Sequence, residues 1–202
     1  MTRGRAEAMA LDPVALAVLD LWFGPEGTPA RGNARDEWFR KDAAFDAEIR
    51  ARFGAAVAIA LAGGYGEWCA TAEGALARVL LLDQFTRNIH RDTAQAFAGD
   101  IRALATAEDA VARKLDRALD SYGRWFLYMP FEHAEDPLAQ ARSLELFGAL
   151  ESESGLDGPL EWARKHAVVI ERFGRYPHRN AVLGRESTAD EIAFLAQPGS
   201  RF

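Results

Sequence analysis

Cysteine is nearly absent from this sequence of 202 residues, and lysine is rare. Cys69 is the only cysteine, so the chain cannot form an internal disulfide, which is typical of a protein in the reducing cytoplasm. We expect Cys69 to be a small buried side chain rather than a nucleophile. Because arginine supplies nearly all the basic charge, the mere presence of an arginine carries no functional argument.

Long hydrophobic runs and an excess of positive charge are also missing. The longest run of small apolar residues, 55–62, is too short to cross a bilayer, and no signal-peptide core follows the N-terminal arginines. The formal net charge is -6, which argues against a broad surface for nucleic acid. Hydrophobic residues make up 49% of the chain and charged residues 27%, as in ordinary soluble proteins. These values predict a cytoplasmic protein that binds neither nucleic acid nor membrane.

No segment alternates apolar and polar residues as a half-buried strand would, whereas helical spacing recurs along the chain. In the first helix, for example, Val14, Val18 and Trp22 lie on one stripe. We interpret residues 1–10 as a flexible tail and residues 11–202 as a single all-α domain of eight to ten helices. Antiparallel helix pairs stacked as a solenoid fit this pattern.

Capping signals predict where several helices begin and end. Asp12 with Pro13, Thr71, Asp136 with Pro137, and Thr188 with Glu191 three residues later are typical N-termini. Gly54 is predicted to end one helix before a short alanine-rich helix, and Pro130 to end an aromatic helix. Ile101 is expected on the inward face of its helix, and so is Leu138.

The first of three polar stretches, residues 80–91, combines an apolar helical face with a polar one. Leu82, Phe85 and Ile89 share the apolar face. The candidate ligand-binding side chains on or beside the polar face are Asp83, Gln84, Arg87, Asn88 and Arg91. Guanidinium groups suit a carboxylate or phosphate. The alternative is a solvated helix face with an ordinary ion pair.

The second polar stretch centres on His133, which has acidic neighbours on both sides. A carboxylate such as Glu135 orients an imidazole and favours its cationic form, so His133 and Glu135 are candidate catalytic residues. Such a histidine also suits an anion contact or a metal ligand. The alternative is an acidic helix N-terminus that needs no ligand.

The third polar stretch packs basic and amide side chains around the rigid Pro177. Its candidate ligand-binding residues are Arg175, His178, Arg179 and Asn180. A loop of this composition fits over a ligand, and it equally fits as a clasp that donates hydrogen bonds to free carbonyls at helix ends.

Signatures of metal, cofactor and nucleophile chemistry are missing from the sequence. There is no His-Glu-x-x-His, cysteine cluster, paired Glu-x-x-His or glycine-rich phosphate loop. No Ser-His-Asp or Cys-His arrangement is evident from spacing. We therefore predict no metal and no cofactor, although His133, His166 and His178 come from segments that a fold can bring together.

Taken together, the three stretches resemble one bacterial family, the domain of unknown function 924 family, over roughly residues 14–196. The motifs are Leu81-Leu82-Asp83-Gln84-Phe85-x-Arg87-Asn88-Ile89-x-Arg91 with Ala96-Phe97-Ala98-x-Asp100, Pro130-Phe131-Glu132-His133-x-Glu135-Asp136, and Phe173-Gly174-Arg175-Tyr176-Pro177-His178-Arg179-Asn180-x-x-Leu183-Gly184-Arg185-x-Ser187-Thr188. The resemblance implies a tetratricopeptide-like right-handed superhelix of antiparallel helix pairs. It implies no reaction.

Three hypotheses follow from these stretches. In the first, they converge on one pocket for a small phosphorylated or carboxylated molecule, and His133 is the acid–base group of any reaction. In the second, the protein is a peptide- or protein-binding module with an open concave groove. In the third, the polar side chains form a buried structural network and leave no cavity. The volume and shape of any cavity distinguish them. Neither the oligomeric state nor the identity of the ligand follows from the sequence.

Overall fold

A computed structural model describes residues 10–200, and within them every regular element is helical. The elements are α1 (Pro13–Phe23), α2 (Ala43–Leu61), α3 (Ala72–Val79), a π-helical segment (Leu80–Phe85), α4 (Thr86–Ile89), α5 (Asp100–Ala112), α6 (Ser121–His133), α7 (Pro137–Ser154), α8 (Pro159–Phe173) and α9 (Ala189–Leu195). Short 3-10 helices occur at Asp36–Trp38, Gly66–Ala70, Ala94–Phe97, Leu115–Ala118 and Pro177–Arg179. The predicted all-α class is confirmed.

Because α3, the π-helical segment and α4 run on without a break, the described chain forms 8 helical rods, within the predicted range. The superhelical stacking of helix pairs stays a prediction, and so does the single domain over residues 11–202. The predicted N-terminal tail falls outside the described residues except for Ala10. Within residues 10–200, none of the helices combines the length and apolar character needed to cross a membrane.

The predicted N-caps are present as hydrogen bonds. Asp12 accepts from the backbone N–H of Val14 at 2.7 Å, and Asp136 accepts from that of Leu138 at 2.9 Å. Thr71 caps α3, and Thr188 with Glu191 forms a complete capping box on α9. Each cap satisfies a backbone donor that the start of a helix leaves without a partner.

Two predicted helix ends are wrong. α2 continues through Gly54 to Leu61, and α6 continues through Pro130 to His133. A glycine costs a helix only about 1 kcal/mol relative to alanine. An internal proline costs about 3 kcal/mol, but side chains on either side of Pro130 are buried, and burying one large apolar side chain contributes about 1.5–3 kcal/mol. Tertiary packing therefore outweighs the local signal.

Two predicted inward faces are also wrong. Ile101 is 85% exposed and Leu138 is 81% exposed. The buried face of α5 consists of small side chains, namely Ala103, Thr106, Ala107 and Ala110. α5 packs against α3, where small side chains allow a close approach, so the bulky Ile101 is left on the outside.

The core is centred on aromatic side chains from α1, the π-helical segment and α6. The ring of Trp22 lies 5.6 Å from that of Phe85 and 5.3 Å from that of Phe126, measured between centroids. All three side chains are fully buried. This cluster fixes the π-helical segment, with its polar residues, against the rest of the core.

The π-helical segment places two polar residues in the interior. All six of its residues, Leu80–Phe85, are buried, and Asp83 has no exposed surface. The hydroxyl of Thr86 donates to the carbonyl of Leu81, five residues earlier, at 2.8 Å, as the wider helical turn allows. The alternative of a solvated helix face is therefore excluded at Asp83.

Gly99 allows the start of α5 to lie directly on this segment. A Cβ atom at Gly99 would lie 2.0 Å from the carbonyl oxygen of Leu82, a distance that only a shift of backbone could relieve. The contact places Asp100, the next residue, beside Arg87.

We predict that Gly99→Ala lowers the free energy of unfolding by about 1–3 kcal/mol, as expected for overpacking. The matched control is Gly54→Ala, where an added Cβ meets nothing within 4 Å. That control should stabilise the protein by up to about 1 kcal/mol, because alanine favours the helix. Urea unfolding of both variants measures the two changes. Equal effects of the two substitutions would contradict the close approach at Gly99.

Candidate functional site

The buried carboxylate of Asp83 joins side chains from the first and second polar stretches. Its Oδ1 accepts from Arg87 Nη1 at 2.8 Å and lies 2.8 Å from His133 Nδ1. Its Oδ2 accepts from Gln84 Nε2 at 2.5 Å. Burial opposes ionisation of Asp83, but the charges of Arg87 and His133 and these hydrogen bonds lower its pKa below the usual range. Asp83 is therefore a carboxylate at neutral pH.

Asp100 joins Arg87 to Arg179 from the third motif. Arg87 Nη2 donates to Asp100 Oδ2 at 3.0 Å, and Arg179 Nη1 donates to the same oxygen at 3.2 Å. The guanidinium of Arg179 lies between two rings, 4.6 Å from the centroid of Phe97 and 4.5 Å from that of Tyr176. Within residues 10–200, Asp100 accepts the one hydrogen bond of Arg179, and Arg179 Nε is buried with no partner.

Arg91 is fixed by an acid from another helix. Asp46, near the start of α2, accepts from Arg91 Nε at 2.8 Å and from Arg91 Nη2 at 2.7 Å. Asn88 donates to the same carboxylate at 2.7 Å. The two parallel bonds hold the Arg91 guanidinium in one plane.

Glu132 and His133 at the C-terminal end of α6 and His166 in the middle of α8 form a cluster of buried titratable side chains. His166 Nδ1 lies 3.0 Å from Glu132 Oε1 and 2.9 Å from the carbonyl oxygen of Trp162. Burial, with the charge of Asp83, raises the pKa of Glu132 to about 8. Burial, with the neighbouring His133, lowers the pKa of His166 to about 3, and burial lowers that of His133 as well. At pH 7 both histidines are neutral and Glu132 is mostly protonated.

The C-terminal end of α6 is anchored by hydrogen bonds to its free carbonyls. Gln140 Nε2, which carries two N–H donors, lies 2.7 Å from the carbonyl oxygen of Glu132, 2.8 Å from that of Ala134 and 2.9 Å from the hydroxyl oxygen of Tyr176. The Tyr176 hydroxyl itself donates to the carbonyl of Glu132. These bonds fix the turn of helix that carries Glu132 and His133.

These side chains surround a cleft with two adjoining chambers. The polar chamber has a volume of about 370 Å³, and the apolar chamber has a volume of about 480 Å³. The polar chamber is lined by Phe39, Gln84, Arg87, Arg91, Asp92, Thr93, Ala96, Phe97, Met129, His133, His166, His178, Arg179 and Val182. The apolar chamber is lined by Phe39, Trp125, Met129, Glu132, His133, Trp162 and His166. Four residues line both chambers.

Cationic groups line the polar chamber, and most of their acidic partners do not. Arg87, Arg91 and Arg179 face the chamber, whereas the carboxylates of Asp46, Asp83 and Asp100, which bind these arginines, are not among its lining residues. The lining carboxylate, that of Asp92, belongs to a side chain that is 78% exposed.

The structure brings residues from all three predicted motifs together around this cleft. The predicted site residues that line it are Gln84, Arg87, Arg91, His133, His178 and Arg179. Asp83 and Asn88 lie behind the lining arginines. Arg175 and Asn180 instead contact Glu191 at the start of α9, away from the cleft.

The expected contact between Glu135 and His133 is wrong. Glu135 accepts from Arg185 at 2.5 and 2.8 Å and from the backbone N–H of Tyr176 at 2.7 Å, so it acts as a clasp for the third motif. α6 ends at His133, and the extended backbone of Ala134 turns the chain away before Glu135. Asp83 orients His133 instead.

The sequence analysis missed the apolar half of the cleft and two of the acids behind its arginines, Asp46 and Asp100. The missed aromatic and thioether side chains are Phe39, Trp125, Met129 and Trp162 in the apolar chamber and Phe97 in the polar chamber. Asp100 lies in the first turn of α5 after Gly99 and binds two arginines. The signal available was that Asp100 belongs to the first motif on which the family resemblance rests. Among residues 10–200 no group of three or more His, Cys, Asp or Glu side chains is placed to hold a metal ion.

The fold and the site define an all-helical protein with an arginine- and histidine-lined cleft. The family described as bacterial protein of unknown function (DUF924) matches residues 18–199, so the chain belongs to that family. It is similar to a solved structure of a protein of unknown function, ATU0120 from Agrobacterium tumefaciens, with 40% sequence identity and a TM-score of 0.79. The match covers 91% of this chain and 97% of that one. No curated protein matches the sequence.

We predict that Glu132 contributes a fall in the stability of the protein as pH rises from 6.5 to 8. Its pKa is raised from 4.5 in the unfolded chain to about 8, so folding takes up a proton between these values and the stabilisation is lost above them. The histidines whose pKa values burial lowers from 6.5, namely His90, His133 and His166, contribute in the opposite direction. Their contribution fades above about pH 7.5, where an unfolded imidazole is deprotonated. The contribution of Glu132 to the slope should approach about 1.4 kcal/mol per pH unit.

Glu132→Gln keeps the shape of the side chain without its titration, so the stability of the wild type relative to this variant should fall as pH rises from 6.5 to 8. The matched control is Glu145→Gln, an exposed carboxylate paired with Arg142, which should leave the slope unchanged. Urea unfolding at several values between pH 6.5 and 8 measures both. A Glu132→Gln variant as pH-dependent as the wild type would show that Glu132 is ionised in the folded protein.

Proposed function

We propose that the cleft binds a small molecule through a carboxylate or phosphate group. The observation that carries the proposal is the arrangement of charge around the polar chamber. Three guanidinium groups line it, and the carboxylates that hold them in position lie on their far side. An anion in the chamber would therefore meet N–H donors before it met the acids.

The arginines are pre-organised for this role. Arg87 is held by Asp83 and Asp100, and Arg179 is held by Asp100 and by the rings on both its faces. A guanidinium that is already fixed loses little side-chain entropy when it binds a ligand. Arg179 also has donor capacity left, because it makes one hydrogen bond within the described residues. Its planar fork suits the paired oxygens of a carboxylate or phosphate.

His133 is the candidate acid–base residue of any reaction in the cleft. Its Nδ1 is engaged by Asp83, so Nε2, on the opposite side of the ring, is the nitrogen left for a ligand. Burial lowers the pKa of the ring, which keeps it neutral at pH 7. A neutral imidazole held by a carboxylate can accept a proton from a ligand, since the resulting cation is stabilised by that carboxylate.

The cavity volume supports a ligand site over a purely structural network. A network that only stabilises the fold fills its own space, because protein interiors are close-packed. The two chambers have about 370 and 480 Å³, within the range of small-molecule sites. The competing proposal, a groove for a peptide, predicts that short peptides bind and that simple anions do not.

Isothermal titration calorimetry with inorganic phosphate, acetate and short peptides tests the proposal. We predict that one of the two anions binds to the wild type and that Arg91→Gln weakens it about tenfold to a hundredfold. That range corresponds to the loss of a hydrogen bond from a charged group, about 1.5–3 kcal/mol. Arg87→Lys should also weaken binding, because lysine keeps the charge but not the fork.

Arg113→Gln is the matched control. Arg113 follows the last residue of α5, pairs with Asp109 at 2.8 Å and donates to the carbonyl of Cys69 at 2.7 Å. It lines neither chamber, so its loss should leave binding unchanged. Urea unfolding of each variant separates lost binding from lost stability. Peptide binding without anion binding would replace this proposal with the peptide module, and binding of neither would favour the structural network.

A further inference from the structure

The apolar chamber is larger than the polar one, and the anion proposal leaves it without a role. Two aromatic side chains at this chamber are unusually exposed: Phe39 is 59% exposed and Trp162 is 46% exposed. The ring of Phe39 stacks on that of Trp125 at 5.2 Å between centroids. Met129 lines the same space and accepts a weak hydrogen bond from Gln84. Exposed aromatic surface around a concavity is typical of a ligand site.

The titratable groups of the apolar chamber are neutral at pH 7. Glu132 is mostly protonated, and His133 and His166 are unprotonated, because burial disfavours the charged form of each. Among residues 10–200, no arginine or lysine lines this chamber. A second charged group would therefore find no counter-charge there, and an uncharged group would meet aromatic and thioether surface.

The two chambers adjoin each other. Phe39, Met129, His133 and His166 line both of them. His133 stands at the junction with one ring nitrogen bound to Asp83. A ligand that spanned the cleft would place the atoms next to its anionic group beside this imidazole.

We propose that the ligand is an amphipathic anion, with its one anionic group against Arg87, Arg91 and Arg179 and an uncharged aromatic or aliphatic group between Trp125, Trp162 and Phe39. This inference rests on the proposed anion site and adds the chemical class of the rest of the molecule. A second charged group on the ligand would lie against the aromatic and thioether side chains of the apolar chamber, so we expect a charge at both ends to weaken binding.

Two matched pairs of compounds test the inference by calorimetry: inorganic phosphate with phenyl phosphate, and acetate with phenylacetate. In the pair whose anion is recognised, the phenyl compound should bind about tenfold to a hundredfold more tightly, as expected when an aromatic ring is buried. A second carboxylate on the far side of the ring should abolish most of this gain.

Trp162→Ala identifies the chamber responsible. It should lower the affinity for the phenyl compound at least about fivefold, since it removes part of the apolar wall, and should leave the affinity for the simple anion unchanged. Val168→Ala is the control, because Val168 lies on the same helix, is 61% exposed and lines neither chamber.

The outcomes separate this inference from the function on which it rests. Equal affinities within each pair, with Arg91→Gln still weakening both members, would overturn the amphipathic ligand and keep the anion site. A phenyl gain that Trp162→Ala and Val168→Ala reduce equally would also overturn it. Binding of no member of either pair would overturn the anion site and the inference together.

Discussion

A buried carboxylate, that of Asp83, is the constraint on which the rest of the site depends. An ionised carboxylate in a protein interior is costly unless charges and hydrogen bonds compensate it. The compensation at Asp83 comes from Gln84 beside it, from Arg87 one turn later and from His133 on α6. Because removing one partner leaves an uncompensated buried charge, the geometry of the cleft and the stability of the fold are coupled through this group.

The backbone around Asp83 extends this coupling to the third motif. The π-helical turn places Asp83 inside, and Gly99 lets α5 begin in contact with the carbonyl of Leu82. That contact brings Asp100 to Arg87 and to Arg179, so a continuous chain of ion pairs links residues almost a hundred positions apart. A larger side chain at position 99 would therefore displace these ion pairs, although residue 99 itself carries no charge.

The amino-acid sequence predicts the helical class, the caps and the polar stretches well, because these depend on local spacing and local hydrogen bonds. It fails where packing decides. Pro130 remains inside a helix because its surroundings are buried, and Ile101 faces outward because α5 packs through alanines. It fails also for the partner of His133. Asp83, the actual partner, lies far from His133 in sequence, and the extended backbone of Ala134 directs the carboxylate of Glu135 to Arg185 instead. Spacing along one chain segment cannot reveal a partner from another.

The balance of charge in the cluster indicates how an anion would be recognised. Arg87 and Arg179 are matched by Asp83 and Asp100, and Arg91 is matched by Asp46, so the cluster has little net charge to attract an ion at a distance. Attraction has to come from fixed N–H donors at short range. The strength of such hydrogen bonds depends on where the oxygen atoms of the anion lie and how they are oriented, and not on its charge alone. A spherical ion gains little from a planar fork, whereas a carboxylate or phosphate matches it. For an anion bound as proposed, the acids behind the arginines would reduce non-selective attraction and leave the geometry of the guanidinium groups to determine which anion is preferred.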